Sequence, residues 1–289
     1  MKASVVAHKE FTVSEIDDRV YGAFLEHLGR AVYEGIYEPD HPTADKDGMR
    51  GDVVKLVKDL NVPVVRYPGG NFVSAYNWED GVGPREQRPT RLDLAWHTAE
   101  SNAVGVHEFA DWCETVGTEM MLAVNLGSRG VDDARNFLEY VNHPGGSYWS
   151  DLRAKNGRKE PFNVRMWCLG NEMDGPWQVG HKDADEYGKL AANTARAMRM
   201  FDSKLELIVC GSSHSEMASY PDWERIVLEH TYEHVDHISL HMYFANREKD
   251  TANYLALNHK LERYIDTVAA TITQVKSKKR SKRDVTISF

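Results

Sequence analysis

Val164-Arg-Met-Trp-Cys-Leu-Gly-Asn-Glu172 is an almost unbroken apolar run that stops at three residues unsuited to a core. Short apolar runs of this kind are strands covered on both faces, as in parallel sheets sandwiched by helices. Similar runs recur at Tyr21–Glu26, Val62–Pro68, Met120–Leu126, Leu205–Cys210 and His237–Tyr243, and a seventh begins at Val285–Phe289. Amphipathic helical patterns lie between them at Gly51–Leu60, His107–Val116, Asp132–Tyr140, Asp185–Phe201 and Ala252–Lys276. Alternating strand and helix predicts an α/β fold, a (β/α)8 TIM barrel of which about six and a half strands are present. No glycine-rich phosphate fingerprint follows any strand, which argues against an open doubly wound sheet.

Residues 1–16 read differently. Ala3–His8 and Glu10–Val13 alternate with no helix after them, as a β segment belonging to another layer would, so the expected division is 1–16 as that segment and 17–289 as the partial barrel. Gly145–Phe162 reads as a long polar loop, and Lys276–Arg283 as a solvated basic connector.

Composition fits a large globular core, with 289 residues, 42% of them apolar and 27% charged. A net charge of −9 disfavours phosphate backbones and anionic membrane surfaces as partners. The N-terminal apolar stretch before His8 is too short for a signal-peptide core, and no transmembrane run occurs. Cys113, Cys168 and Cys210 fall within apolar patterns, as reduced core residues would, and a cytoplasmic location is expected.

In a TIM barrel the C-terminal strand ends carry the active site. On spacing alone Glu172 has two equal readings, a catalytic carboxylate or an acidic residue at a helix start. The other strand ends favour the first, because they deliver Glu26-His27, Arg66-Tyr-Pro-Gly-Gly-Asn71, Asn125, Ser212-Ser213-His214 and His241-Met-Tyr243. Trp78, Trp96 and Trp177 in adjoining loops offer flat faces for sugar rings. Together these groups describe a pocket for a polar, neutral ligand, in which a carboxylate beside an amide suits glycoside cleavage.

Three segments carry a closer resemblance. Gly22-Ala-Phe-Leu-Glu-His-Leu-Gly-Arg-Ala-Val-Tyr-Glu-Gly-Ile-Tyr37, Arg66-Tyr-Pro-Gly-Gly-Asn-Phe-Val-Ser-Ala-Tyr-Asn-Trp-Glu-Asp-Gly81 and Trp167-Cys-Leu-Gly-Asn-Glu-Met-Asp-Gly-Pro-Trp-Gln178 resemble glycoside hydrolase family 51, retaining α-L-arabinofuranosidases. The resemblance implies Glu172 as general acid/base, Asn171 on the hydroxyl beside the reacting carbon, and Glu26, Asn71 and Tyr243 completing the sugar pocket. It places Arg66 and His241 near the nucleophile, with Trp96 in support. It also implies cleavage of terminal arabinofuranosyl residues without metal or cofactor, a homo-oligomer (hexameric in the family), and a nucleophilic glutamate just beyond residue 289. The eighth strand and a C-terminal β-sandwich are then expected from further sequence or a second chain. Competing readings are an endoglucanase-type glycosidase, a non-catalytic sugar-binding fragment, and a metal-dependent hydrolase using His230 and His234 with His237 or His241. The last is disfavoured because its helix precedes a strand and faces away from the strand C-terminal ends.

Overall fold

The computed structural model describes residues 2–289. Two short strands and a helix open the sheet: β1 (Ala23–Phe24), α1 (Gly51–Leu60) and β2 (Val64–Tyr67). After β2 an antiparallel pair, β3 (Arg91–Leu92) and β4 (Ala99–Glu100), stands apart from the main sheet. The alternation then resumes with α2 (Val106–Val116), β5 (Glu119–Val124), α3 (Val131–Asn142), α4 (Tyr148–Lys155) and β6 (Met166–Leu169). It continues through α5 (Ala184–Phe201), β7 (Glu206–Cys210), α6 (Asp222–Thr231), β8 (His237–Ser239), α7 (Thr251–Leu255), α8 (Asn258–Lys279) and β9 (Thr286–Ser288).

Seven strands form one parallel sheet in the order β1-β2-β5-β6-β7-β8-β9, so each pairs with its predecessor in the main series. All seven expected strands are present, and the sheet curls into an incomplete (β/α)8 barrel. Period-two alternation sorts the side chains into two layers. Val64, Ala123, Met166, Cys168 and Ile208 form a compact inner cluster. Val65, Tyr67, Leu122, Val124, Trp167, Leu169, Leu207 and Val209 join the larger core beneath the helices. Arg66, two residues after Val64, therefore falls on the inner parity and reaches the open end of the barrel.

Three expectations change. The stretch 145–162 is not loop throughout, because it contains α4, whose pattern is hard to see since a charged residue faces inward. Arg153 is fully buried and donates to the carbonyls of Tyr140, His143, Pro144, Arg158 and Lys159, tying both flanks of the helix together. The last long helix is broken into α7 and α8. Among residues 2–17 no strand forms: Lys9–Phe11 makes a 3-10 turn, and Val5, Val6, Phe11, Val13 and Ile16 are exposed. A strand needs a neighbour for its backbone groups, and none pairs with this segment among the described residues.

The basic run behaves as a connector: Lys276 pairs with Asp284, Lys278 with Glu229 and Arg283 with Asp236. All three cysteines are buried and free. No described helix is long and apolar enough to cross a membrane.

Candidate active site

Glu26 leaves the end of β1 and is 5% exposed. The loop after β2 lies directly against it, which only glycine permits. A Cβ on Gly69, at φ +139°, would sit 2.3 Å from Glu26 Cγ, and one on Gly70 would sit 2.9 Å from Oε2. This approach lets the Phe72 N–H donate to Glu26 Oε1 at 2.9 Å, and Trp96 Nε1–H donates to the same oxygen at 3.0 Å. Burial pushes the Glu26 carboxyl up, the two hydrogen bonds and the Arg66 charge pull it down, and the negative Glu172 adds to the rise; the net shift is upward.

Glu172 follows β6 through a tight turn, with Gly170 at φ +91° and Glu172 itself at φ +45°. For glutamate this left-handed backbone costs about 1 kcal/mol or more, which the surroundings must offset. The Gly175 N–H closes the turn on the Glu172 carbonyl at 2.8 Å. His241 Nδ1 lies 2.8 Å from Oε1 and Trp177 Nε1–H donates to Oε2 at 3.0 Å. Burial alone would push this carboxyl up, but His241, Trp177 and the Arg66 charge outweigh it and hold Glu172 below the ordinary glutamate value.

Between the two carboxylates runs an amide network. Arg66 Nη1–H donates to the Gly69 carbonyl at 3.1 Å and to Asn171 Oδ1 at 3.2 Å, with its guanidinium over the Phe24 ring at 4.6 Å. Asn171 Nδ2–H donates to Asn71 Oδ1 at 3.4 Å, and Gln178 Nε2–H donates to the same oxygen. Ser74 in turn donates to Gln178 Oε1 at 2.6 Å. Three hydrogen-bonded groups, Glu26 with Trp96, Arg66 with Asn171 and Asn71, and Glu172 with His241, thus stand at the C-terminal strand ends, and the Arg66 charge acts on both carboxylates. Tyr243 is 87% exposed in the irregular chain after β8; it feels the charges of Glu172, Glu26 and Arg66 but bonds to none of them. His241, expected beside a nucleophile, here sits on Glu172.

Other candidates have structural work. Trp78 is a core residue stacked on Phe137, not a sugar platform. Asn125 caps a turn, accepting from the N–H groups of Gly127 and Ser128. His27 bridges Glu100 and Tyr67 at 2.8 Å each. His230 pairs with Asp185, and among the described residues no cluster of three or more His, Cys, Asp or Glu side chains could hold a metal ion. Gln178 and Asp174 do not stand out in the sequence, and Ser213 does so only within the strand-end run Ser212-Ser213-His214; no spacing rule pairs these residues with their partners, which come from other strands. A cavity of about 370 Å³ lies elsewhere, beside α1 and α2, and its charges are satisfied by pairs such as Arg88–Glu108 and Arg158–Asp111.

Parallel strands in chain order, with carboxylates and amides gathered at their C-terminal ends, define a barrel of the glycosidase class. The alpha-L-arabinofuranosidase 1 domain family matches residues 56–259, most of the chain. The chain belongs to that family, the arabinofuranosidases of glycoside hydrolase family 51. It is 60% identical over 288 residues to an intracellular exo-alpha-(1->5)-L-arabinofuranosidase of Bacillus subtilis (strain 168), covering all of this chain and 58% of that protein. To an exo-alpha-(1->6)-L-arabinofuranosidase of Bifidobacterium longum it is 52% identical, covering 100% of this chain and 56% of the other. The solved structure of a family 51 alpha-L-arabinofuranosidase from Bifidobacterium longum superposes with a TM-score of 0.94 at 49% identity, over 96% of this chain and 56% of that one. The chain therefore spans a little over half the length of these relatives.

Proposed function

We propose that this chain supplies the acid/base half of a retaining exo-acting α-L-arabinofuranosidase, which removes terminal arabinofuranosyl residues from oligo- and polysaccharides. The observation that carries this reading is Glu172, presented on a left-handed turn at a strand end with Asn171 beside it, in a chain 60% identical to a protein of that activity.

In the first step a second carboxylate attacks the anomeric carbon while Glu172 gives its proton to the departing glycosidic oxygen. In the second, ionised Glu172 takes a proton from water, whose oxygen displaces the carboxylate from that carbon and releases arabinose. Retaining chemistry places the two carboxyl groups about 5 Å apart and needs no metal or cofactor. We assign the second to a glutamate shortly after β9, whose parallel pairing with β8 aims its end at the same rim. Its negative charge would raise the Glu172 carboxyl, converting a group held ionised here into a proton donor. Glu26 does not fit the nucleophile: burial favours its neutral form, which suits a hydrogen bond to a ring hydroxyl. Asn71, Asn171 and Tyr243 complete the sugar pocket, with Arg66, His241 and Trp96 in support. Residues 1–16 are assigned to a β-sandwich outside this chain. A cytoplasmic location fits the intracellular naming of several relatives, and a homo-oligomer belongs to the same proposal. Those names also favour arabinofuranosides over the glucans of an endoglucanase.

In the full-length protein, Glu172→Ala is expected to cut kcat/KM on arabino-oligosaccharides by about 10²–10⁴-fold while sparing that on activated aryl arabinofuranosides, which need little protonation. On the activated substrates, whose kcat falls because water is no longer deprotonated, azide should restore turnover by replacing that water. Equal losses on both substrates without azide rescue would remove Glu172 from this role.

A further inference from the structure

The turn that carries Glu172 is anchored to the neighbouring strand by groups the mechanism above does not use. Asp174, two residues on and 8% exposed, accepts the Ser213 N–H on both oxygens at 3.1 and 3.0 Å, and its Oδ1 also accepts the Ser213 hydroxyl. Ser213 belongs to a segment at the end of β7 that is itself fixed from below. The Ser212 N–H donates to Glu224 Oε1 of α6 at 2.7 Å, and the Ser212 carbonyl accepts from the Tyr264 hydroxyl of α8 at 2.7 Å. One residue further, the His214 ring lies parallel to Trp177, at 9° and 6.3 Å between centroids. Trp177 is the residue that donates to Glu172 Oε2. Two helices thus hold Ser212–His214, and this segment grips the acid turn on both sides of Gly175, through Asp174 before it and Trp177 after it.

The grip has a reason. Glu172 occupies a left-handed backbone that glutamate does not favour, and within the turn the only backbone bond to its own carbonyl comes from Gly175. Without an external anchor the turn can relax toward ordinary backbone angles and swing the carboxyl away. A proton donor misplaced by about 1 Å loses on the order of 10²-fold in rate. Neither Asp174 nor Ser213 is free to do chemistry, since each is buried and occupied with the other.

We propose that Asp174 and Ser213 form a positioning clamp that sets the Glu172 carboxyl against the leaving-group oxygen. The inference rests on the acid/base reading of Glu172, so the test includes that variant as a control. Asp174→Asn and Ser213→Ala are made in the full-length protein and assayed on aryl arabinofuranosides of graded leaving-group pKa. Both should lower kcat/KM for the poorest leaving groups by about 10–100-fold and leave that of the most activated one within about 3-fold, since protonation and not sugar binding is disturbed. A residue that merely stabilises the fold would move the thermal midpoint and depress all substrates alike. Should Asp174→Asn fail to fold, Ser213→Ala carries the test, because it removes one hydroxyl and keeps the backbone N–H. If Glu172→Ala shows steep leaving-group dependence while both clamp variants are flat, the clamp is wrong and the acid/base assignment stands. If Glu172→Ala is itself flat, both fall.

Discussion

The Glu172 carboxyl is held by two opposed influences, and His241 decides between them. Burial favours the protonated form, whereas the 2.8 Å contact from His241 and the Trp177 N–H favour the charged one. A depressed folded value means that this group adds stability above the ordinary glutamate range, near pH 4.5, and that the contribution is lost as pH falls through the folded value. Removing the imidazole leaves burial less opposed. In His241→Ala, Glu172 should therefore titrate at higher pH than in the parent chain, readable by ¹³C NMR of carboxyl-labelled glutamate. An unchanged or lower midpoint would show that His241 is not the controlling partner.

Between elements, the clearest pH sensor is far from the site. His107 of α2 lies 2.6 Å from the Tyr140 hydroxyl of α3 and edge-on to Phe162. Burial, helped by the charges of Arg88, Arg158 and Arg153, lowers its pKa to about 4. The unfolded chain binds a proton near pH 6.5 while the folded chain does not, so stability falls as pH drops from 6.5 toward 4. At about 1.4 kcal/mol per pH unit this amounts to roughly 3 kcal/mol, with no further loss from this group below pH 4. His107→Gln should be less stable than the parent at pH 7 and close to it at pH 4.5, measured by urea unfolding. A gap that does not change with pH would contradict this.

Element-scale features were legible in sequence where periodicity was clean. The seven strands and α1 come from apolar runs and helical spacing that nothing else mimics. α4 was hidden because Arg153, charged yet fully buried, reverses the usual inward-apolar signal. The β3–β4 pair has only two residues a side, too few for an alternation to register. In the site, Glu26, Asn71, Asn171 and Glu172 stand out because polar residues at the ends of apolar strands are conspicuous. The Asp174–Ser213 contact spans β6 and β7, so it emerges only once the sheet order is known.

At the scale of the whole molecule the sheet is open, with β1 and β9 at its two margins. In the segment before β1 the side chains of Val5, Val6, Phe11 and Val13 are exposed, as are Phe24 in β1, Leu28 after it and Phe289 beyond β9. Open margins flanked by apolar side chains favour association. Residues 1–289 expressed alone should form concentration-dependent oligomers or aggregates and show no hydrolysis of aryl arabinofuranosides. Size-exclusion chromatography with light scattering checks the first; a single 32.9 kDa species across a concentration series would contradict it. Robust turnover by a mass-verified 289-residue product would overturn the assignment of the nucleophile beyond Phe289.

Because every ladder of the main sheet joins consecutive strands of that series, each new β/α unit finds its docking edge in the unit made just before it. The segments closed at each addition, the longest between Tyr67 and Glu119, are local beside the whole chain, and the entropic cost of loop closure grows only with the logarithm of their length. Such a chain can assemble in the direction of synthesis, unit by unit as it leaves the ribosome, with little waiting for distant partners. The one long-range event left to a complete barrel is sealing its seam, where a late strand meets β1. Chain order thus makes the wall early and cheaply, and leaves completion of the catalytic rim to the last strands of the barrel.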